Sequence, residues 1–125
     1  MEPLFIKGTN KTPEIDFKPD GVLWLRGVSR LEDAYQFFRE PVKWVSEYVL
    51  EPAEKTEMNI DLEFFNTSSQ VNIFEMLIYL SELKKSGYDV QFNWYYDDED
   101  LKDLGEDMSG ILGVSFNFIK KKSSK

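Results

Sequence analysis

The chain has 125 residues, of which 23 are acidic and 15 basic, so its net charge is −8. It contains no cysteine and no histidine, which excludes disulfide bonds, cysteine-ligated metal clusters, thiol nucleophiles and the Ser-His-Asp triad. The acidic balance argues against nonspecific nucleic-acid binding, which needs a basic surface. We expect a single domain that holds no metal ion and no cofactor.

The two ends of the chain predict where the protein works and how far the domain extends. The first residues lack the basic start and apolar segment of a signal peptide. The apolar runs are far shorter than the ~20 residues that span a membrane. We therefore expect a cytoplasmic protein that does not bind a membrane. The domain is expected over residues 1–119, and the lysine-rich residues 120–125 are expected to form a disordered tail.

The first third of the chain predicts a hairpin preceded by a short extended piece. Residues 4–6 are apolar and end at a turn signal, Gly8-Thr9. Residues 13–17 and 22–26 are extended in pattern and flank the turn sequence Pro19-Asp20-Gly21, which predicts a β-hairpin.

The apolar period then changes to that of a helix, from Ala34 to Val49. Ser29 and Glu32 fit an S-x-x-E capping box at its start. Pro41 interrupts the pattern, and because proline cannot donate the helical hydrogen bond we predict a kink or a restart there.

The rest of the chain alternates between strands and helices. A strand is predicted over residues 58–65, with Met58, Ile60, Leu62 and Phe64 facing inward. A well-buried helix follows over residues 70–86, with Val71 among its apolar residues, and Gly87 ends it. A strand over 88–96, a short exposed helix within 97–107 and a weak strand over 114–119 complete the pattern. The order predicts an α/β domain with a mixed sheet and helices packed on it.

Four small polar residues stand between the predicted strand and the buried helix: Asn66, Thr67, Ser68 and Ser69. Asn, Ser and Thr are the preferred helix N-caps, so one of them has a structural explanation. One cap does not explain four residues, and the surplus hydroxyls near a positive helix end suit a phosphate acceptor or an anion site.

The segment from Asp97 to Asp107 contains seven acids and one lysine. A solvated helix face is the ordinary explanation of such a run. A calcium-binding loop starting at Asp98 fails, because Asp103 stands where the EF-hand turn requires glycine. The third interpretation is a docking patch for a basic partner, centred on Asp97, Asp98, Glu99 and Asp100.

Four motifs stand in order along the chain: residues 8–15, Phe37-Phe38 with residues 41–44, residues 65–69 and residues 94–100. With looser matches at 105–106 and 116–118, they resemble the SiaC-type bacterial regulatory phosphoproteins, a family of STAS-like domains related to anti-sigma-factor antagonists. The N-T-S-S sequence at a strand–helix junction is the most specific of the motifs. The resemblance covers nearly the whole chain except the lysine tail. One departure is at Arg30-Leu31, where the family tends to have Tyr-Pro.

The resemblance implies a signalling switch that is not an enzyme. It implies that Thr67 is phosphorylated by a dedicated kinase and dephosphorylated by a PP2C-like phosphatase. It also implies that the unphosphorylated form binds and stimulates an effector, a diguanylate cyclase, which links the switch to cyclic-di-GMP and biofilm formation. Ser68 and Ser69 are expected to cap the helix or shape the loop. With Asn66, Thr12 and Pro13 they belong to the expected partner-binding region.

Two other classes of function stay open at this point. One is a constitutive protein-interaction module without phosphorylation. The other is a small carboxylate-dependent enzyme, although the sequence shows no motif that pairs a nucleophile with a base.

Overall fold

The computed structural model describes residues 1–122 and contains the predicted elements in the predicted order. The strands and helices are β1 (Leu4–Ile6), β2 (Glu14–Phe17), β3 (Val22–Ser29), α1 (Ala34–Tyr48), β4 (Lys55–Phe65), α2 (Thr67–Lys85), β5 (Asp89–Tyr96), α3 (Glu99–Leu112) and β6 (Asn117–Lys120).

The strands form one mixed sheet in which sequence order and spatial order are the same. β1, β2 and β3 are antiparallel, which confirms the predicted hairpin, and β3 to β6 are parallel. Parallel strands joined through a helix almost always cross over with the right hand. Since every crossover here moves one strand in the same direction, all three helices lie on one face of the sheet. There α1 packs on α2, and α2 packs on α3.

The core lies between that face and the helices. Alternate residues of the strands point into it and are almost fully buried, which contributes about 1.5–3 kcal/mol for each large apolar side chain. They include Ile15, Phe17, Leu23, Leu25, Met58, Ile60, Leu62, Phe92 and Trp94.

The opposite face of the sheet carries polar and aromatic side chains and is not covered by a helix in the described part of the chain. Three asparagines on adjacent strands form an amide ladder. Asn117 Nδ2 donates to Asn93 Oδ1 at 3.0 Å, and Asn93 Nδ2 donates to Asn59 Oδ1 at 2.8 Å. Asn59 is itself buried and donates to the carbonyl of Leu23 at 3.2 Å. The ladder satisfies amides that would otherwise be costly to bury.

Helix α1 differs from the prediction at Pro41 and at its N-terminus. The helix is continuous over 15 residues with Pro41 inside it, so the predicted restart at Pro41 is wrong. The pyrrolidine ring is buried, and the apolar face that includes Phe38 and Val45 holds the helix together despite the missing hydrogen bond. The capping box is also wrong, because Ser29 is the last residue of β3 and Asp33 takes the N-cap position without a side-chain cap.

A β-bulge in β4 overturns one predicted core residue. Gly27 lies opposite Leu62, whereas Val28 lies opposite Phe64, so Glu63 is an extra residue on β4. One extra residue turns every later side chain to the other face. Phe64 is therefore 45% exposed, and Phe65 enters the core in its place.

Two helices differ in extent from the prediction. α2 begins at Thr67, three residues early, and ends as predicted before Gly87, whose φ of +103° suits glycine. Val71 is exposed, not buried, because it lies on the outer side of α2. α3 is longer than the short exposed helix predicted, and it buries Gly105 and Met108.

The carboxyl end of the described chain belongs to the domain. Lys120 is the last residue of β6. Lys121 Nζ lies 2.8 Å from Asp61 Oδ1, and its amide donates to the carbonyl of Tyr96 at 2.8 Å. The predicted boundary at residue 119 is therefore too early, because these two lysines are fixed to the sheet. Of the predicted tail, residues 123–125 lie outside the described residues.

Candidate functional site

The carboxyl ends of β3, β4 and β5 lie at one edge of the sheet, because these strands are parallel. We call this the carboxyl edge and define it as the segments that follow Ser29, Phe65 and Tyr96. In α/β sheets this is where binding sites usually form. The fold therefore brings together the N-T-S-S sequence, the end of β3 and the start of the acidic run.

Asn66 is the N-cap of α2 and connects three segments of the carboxyl edge. Its Oδ1 accepts hydrogen bonds from Ser69 N at 3.0 Å and from Ser69 Oγ at 2.7 Å. Its Nδ2 donates to the carbonyl of Leu31 at 2.9 Å, and its backbone amide donates to the carbonyl of Ser29 at 3.1 Å. The Asn66 side chain is thus fully used by the fold.

The two serines of the N-T-S-S sequence are also used internally. Ser69 is fully buried, and its hydroxyl is hydrogen-bonded to the hydroxyl of Ser29 at the end of β3. Ser68 Oγ accepts a hydrogen bond from Ala34 N at 3.2 Å. Ser68 therefore caps the first residue of α1 from a different helix, which explains why Asp33 supplies no cap. Both serine hydroxyls thus join α2 to other parts of the fold.

Thr67 differs from its three neighbours. It is the first residue of α2 and is exposed. Within residues 1–122 its hydroxyl takes part in no hydrogen bond, whereas the side chains of Asn66, Ser68 and Ser69 all do. The structure thus presents one free hydroxyl at the positive end of a 19-residue helix. Such a position accommodates added negative charge.

A loop from the amino-terminal part of the chain lies beside the end of β3. Thr9 Oγ1 is hydrogen-bonded to Thr12 Oγ1 at 2.7 Å and accepts the amides of Lys11 and Thr12. The amide of Arg30 donates to the carbonyl of Lys11 at 2.8 Å. Pro13 is buried and Thr12 is half-buried. The structure therefore places Thr12 and Pro13 in a loop beside the carboxyl edge.

The acidic run begins at the same edge and continues into α3. Asp98 is the N-cap of α3, and its Oδ1 accepts the amide of Leu101 at 2.8 Å. Glu99 and Asp100 lie in the first turn, where the helix dipole favours acids. A cavity of about 300 Å³ separates this turn from Phe64 and is also lined by Asp98 and Asp100. Asp98, Glu99 and Asp100 thus have ordinary structural surroundings, and all three are exposed, as is Asp97.

Arg30 lies at the carboxyl edge and contacts Phe64. The sequence pattern did not predict this contact. The guanidinium carbon of Arg30 lies 5.2 Å from the centroid of the Phe64 ring. Phe64 is available for this contact because the bulge at Glu63 turns it outward.

The residues 1–122 contain no group of three or more His, Cys, Asp or Glu side chains arranged to hold a metal ion. None of their helices is both long enough and apolar enough to cross a membrane.

Comparison with known families identifies the class of protein. Residues 6–121 match the SiaC family regulatory phosphoprotein, and the chain belongs to this family. It is 32% identical over 111 residues to an uncharacterised protein of Pseudomonas aeruginosa strain UCBPP-PA14. The aligned region covers 86% of this chain and 87% of that protein. The resemblance drawn from the sequence motifs is confirmed.

Solved structures show the same fold. The crystal structure of apo-SiaC from Pseudomonas aeruginosa matches with a TM-score of 0.85 and 29% identity, over 98% of this chain and 100% of that one. A chain of the crystal structure of the diguanylate cyclase SiaD in complex with its activator SiaC, from the same organism, has a TM-score of 0.80 and 30% identity. It covers 94% of this chain and 97% of its own length. The predicted α/β class and mixed sheet are confirmed.

Proposed function

We propose that the protein is a non-enzymatic signalling switch controlled by reversible phosphorylation of Thr67. The observation that carries this proposal is the contrast within the N-T-S-S sequence. Thr67 offers an exposed hydroxyl without an internal hydrogen bond, while its three neighbours are tied to other parts of the fold. A kinase acting here would meet the threonine hydroxyl without breaking the contacts that join α1, α2 and β3.

The physical effect of phosphorylation follows from the position of Thr67. The phosphate adds a charge of about −1.5 to −2 and three strong acceptor oxygens. At the first residue of α2 it meets free backbone amides and the positive end of the helix dipole. The fold is therefore expected to keep its stability. A partner docked on Thr67 is expected to dissociate, because it would meet a bulky hydrated dianion in its interface.

The partner proposed for the unphosphorylated form is an effector protein, namely a diguanylate cyclase. Support comes from the SiaC of Pseudomonas aeruginosa, which is described as the activator of the cyclase SiaD in their complex. We propose that the effector contacts the carboxyl edge around Thr67, the loop of Thr12 and Pro13, and the acids Asp97–Asp100. Asn66, Ser68 and Ser69 shape this surface. A kinase and a PP2C-like phosphatase in the cytoplasm would set the phosphorylation state.

The first test is the intact mass of the protein purified from its own host, with and without phosphatase treatment. A mass increase of one phosphate that maps to Thr67 and disappears on treatment is expected. Unmodified protein under every growth condition, including deletion of the host's PP2C-type phosphatases, would instead indicate a constitutive interaction module.

The second test is calorimetric binding to a diguanylate cyclase purified from the same organism. Thr67→Asp is expected to abolish binding, and Thr67→Ala is expected to preserve most of it. Ser115→Asp is the matched control, because Ser115 is exposed and precedes β6 at the opposite edge of the sheet. Retained binding by Thr67→Asp with an unchanged melting temperature would contradict the proposed block.

A further inference from the structure

A second surface of the molecule lies between α2 and α3 and is unusually apolar for an exposed site. It is a groove of about 410 Å³ whose walls include Val71 and Phe74 of α2 and Leu104, Met108 and Ile111 of α3. Val71 is 66% exposed and Ile111 is 74% exposed. A contiguous exposed apolar patch, unlike a single exposed side chain, marks an interaction surface.

The rim of the groove is acidic. α3 carries five acids and one lysine, and Asp107 lines the groove itself. Asp100 and Asp103 lie seven and four residues before Asp107, so the three acids are on the same side of α3, and all three are exposed. None of the ion pairs found among residues 1–122 involves an acid of α3, since those pairs join Arg26 to Glu14, Lys55 to Glu57 and Lys121 to Asp61. The negative charge of the rim is therefore available to a partner.

The groove begins about one helical turn after Thr67, the proposed phosphorylation site. Residues three and four positions apart lie on the same side of a helix. Thr67, Val71 and Phe74 follow this spacing along α2, so Thr67 stands one turn before the groove. A ligand that fills the groove and extends toward the start of α2 would reach the carboxyl edge.

We propose that this groove binds an amphipathic helix of the effector, with apolar residues on one side and lysine or arginine along the flank. A channel between two helices suits a third helix, whose apolar side chains enter at i, i+3, i+4 and i+7. The acidic rim selects a basic flank by charge complementarity and accelerates its association. The inference rests on the proposed function, because it names the chemistry by which the effector engages the surface beside Thr67.

The negative charge of the protein disfavours two other occupants of the groove, a second copy of this chain and an anionic lipid surface. A second copy of this chain would place one acidic rim against another, on a protein whose net charge is −8. An anionic lipid surface would be repelled in the same way. A basic helix is the occupant that gains from both the apolar walls and the rim.

The test uses a synthetic amphipathic peptide of leucine and lysine as the probe, with a leucine–glutamate peptide of the same pattern as its control. Affinity is measured by fluorescence anisotropy, and the site is located by NMR shifts of backbone amides. We expect the lysine peptide to bind and to shift amides of α2 and α3, and the glutamate peptide not to bind. Equal binding of both peptides, or shifts confined to other parts of the surface, would overturn the proposal.

Variants separate groove binding from general attraction to an acidic protein. Val71→Ser and Ile111→Ser should each weaken binding of the lysine peptide by about tenfold, since an apolar contact is lost. Leu50→Ser is the matched control, because Leu50 is 83% exposed at the end of α1, and it should leave the affinity unchanged. Asp107→Asn should weaken binding by about threefold and reduce its salt dependence, whereas Asp89→Asn on β5 should not. Equal affinities across all variants would refute the groove.

The same variants tested against the diguanylate cyclase distinguish this inference from the proposed switch. Loss of cyclase binding in Thr67→Asp but not in Val71→Ser or Ile111→Ser would overturn the groove and leave the switch intact. Loss in the groove variants but not in Thr67→Asp would support the groove and overturn the phosphorylation block. Self-association of the wild type in ultracentrifugation that Ile111→Ser abolishes would assign the groove to a second copy and overturn the proposal.

Discussion

Gly105 of α3 lies directly against the indole ring of Trp94 on β5. A Cβ atom at position 105 would lie 2.6 Å from Cε2 of that ring, a distance that side chains do not tolerate. The same indole donates its Nε1–H to the carbonyl of Leu101 at 3.0 Å. Trp94 therefore fixes α3 both by packing and by a hydrogen bond, and with it the position of the acidic surface and of one wall of the groove.

Gly105→Ala should lower the free energy of unfolding by about 1–3 kcal/mol, because the added methyl forces α3 away from Trp94. Gly110→Ala is the control in the same helix, since a Cβ there meets nothing within 4 Å. It should raise stability by about 0.5–1 kcal/mol through helix propensity. Urea denaturation followed by Trp fluorescence measures both changes. Equal effects of the two variants would contradict the close contact with Trp94.

Ser69→Ala should destabilise the protein by about 1–3 kcal/mol, because it leaves the buried hydroxyl of Ser29 without its partner. Thr67→Ala should change the free energy of unfolding by less than about 0.5 kcal/mol, as expected for an exposed side chain outside internal contacts. Thermal denaturation of the two variants measures the difference. A large loss in Thr67→Ala would show that the threonine serves the fold.

Asn59→Ala should cost about 1–3 kcal/mol, because it removes the donor to the carbonyl of Leu23 and the acceptor for Asn93 in a buried position. Gln91→Ala, an exposed amide on β5, should have almost no effect and serves as the control. Chemical denaturation measures both. Similar stabilities would mean that the amide ladder adds nothing beyond the sheet itself.

The ion pair of Lys121 with Asp61 predicts a response to alkaline pH. The hydrogen bond from Lys121 to Asp61 raises the pKa of the lysine above its ordinary value of 10.5, although partial burial opposes the shift. Because the folded-state pKa exceeds the unfolded one, the pair stabilises the fold fully below pH 10.5 and stops doing so as the pH rises through the folded-state pKa.

Lys121→Met is therefore expected to be less stable than the wild type near neutral pH, by less than about 1 kcal/mol for this partly exposed pair. The difference should shrink as the pH rises through the alkaline range. Urea denaturation of both proteins at several pH values isolates this effect, because the two proteins share every other ionisable group. A difference that does not change with pH would contradict the ion pair.

Local patterns predicted the fold well, and contacts between distant residues explain the errors. The order of elements, the β2–β3 hairpin and the end of α2 at Gly87 follow from period and turn chemistry that neighbouring residues contain. The extra residue at Glu63 becomes visible only when β4 is aligned with β3. The burial of Phe65 in place of Phe64 follows from that alignment, so the sequence of β4 alone could not predict it.

The start of a helix at the N-T-S-S sequence was predicted, whereas the contacts of its individual side chains were not. The N-T-S-S sequence indicates a helix start, yet it does not tell which of its hydroxyls is used by the fold. That depends on Ser29 and Ala34, which lie 40 and 34 residues away from the serines they contact. Likewise, the apolar pattern of α2 did not show that Ile73 is buried and Val71 exposed. That difference arises because α3 does not cover the side of α2 on which Val71 lies.

The identity of sequence order and spatial order in the sheet has a consequence for synthesis on the ribosome. Each new strand from β4 onward pairs with the strand made immediately before it, so no strand has to insert between two that are already joined. Each pairing can therefore form once the next strand has been made. The junction at Thr67 needs only β3, α1, β4 and the start of α2, and it can therefore form while the groove helix α3 is still being synthesised.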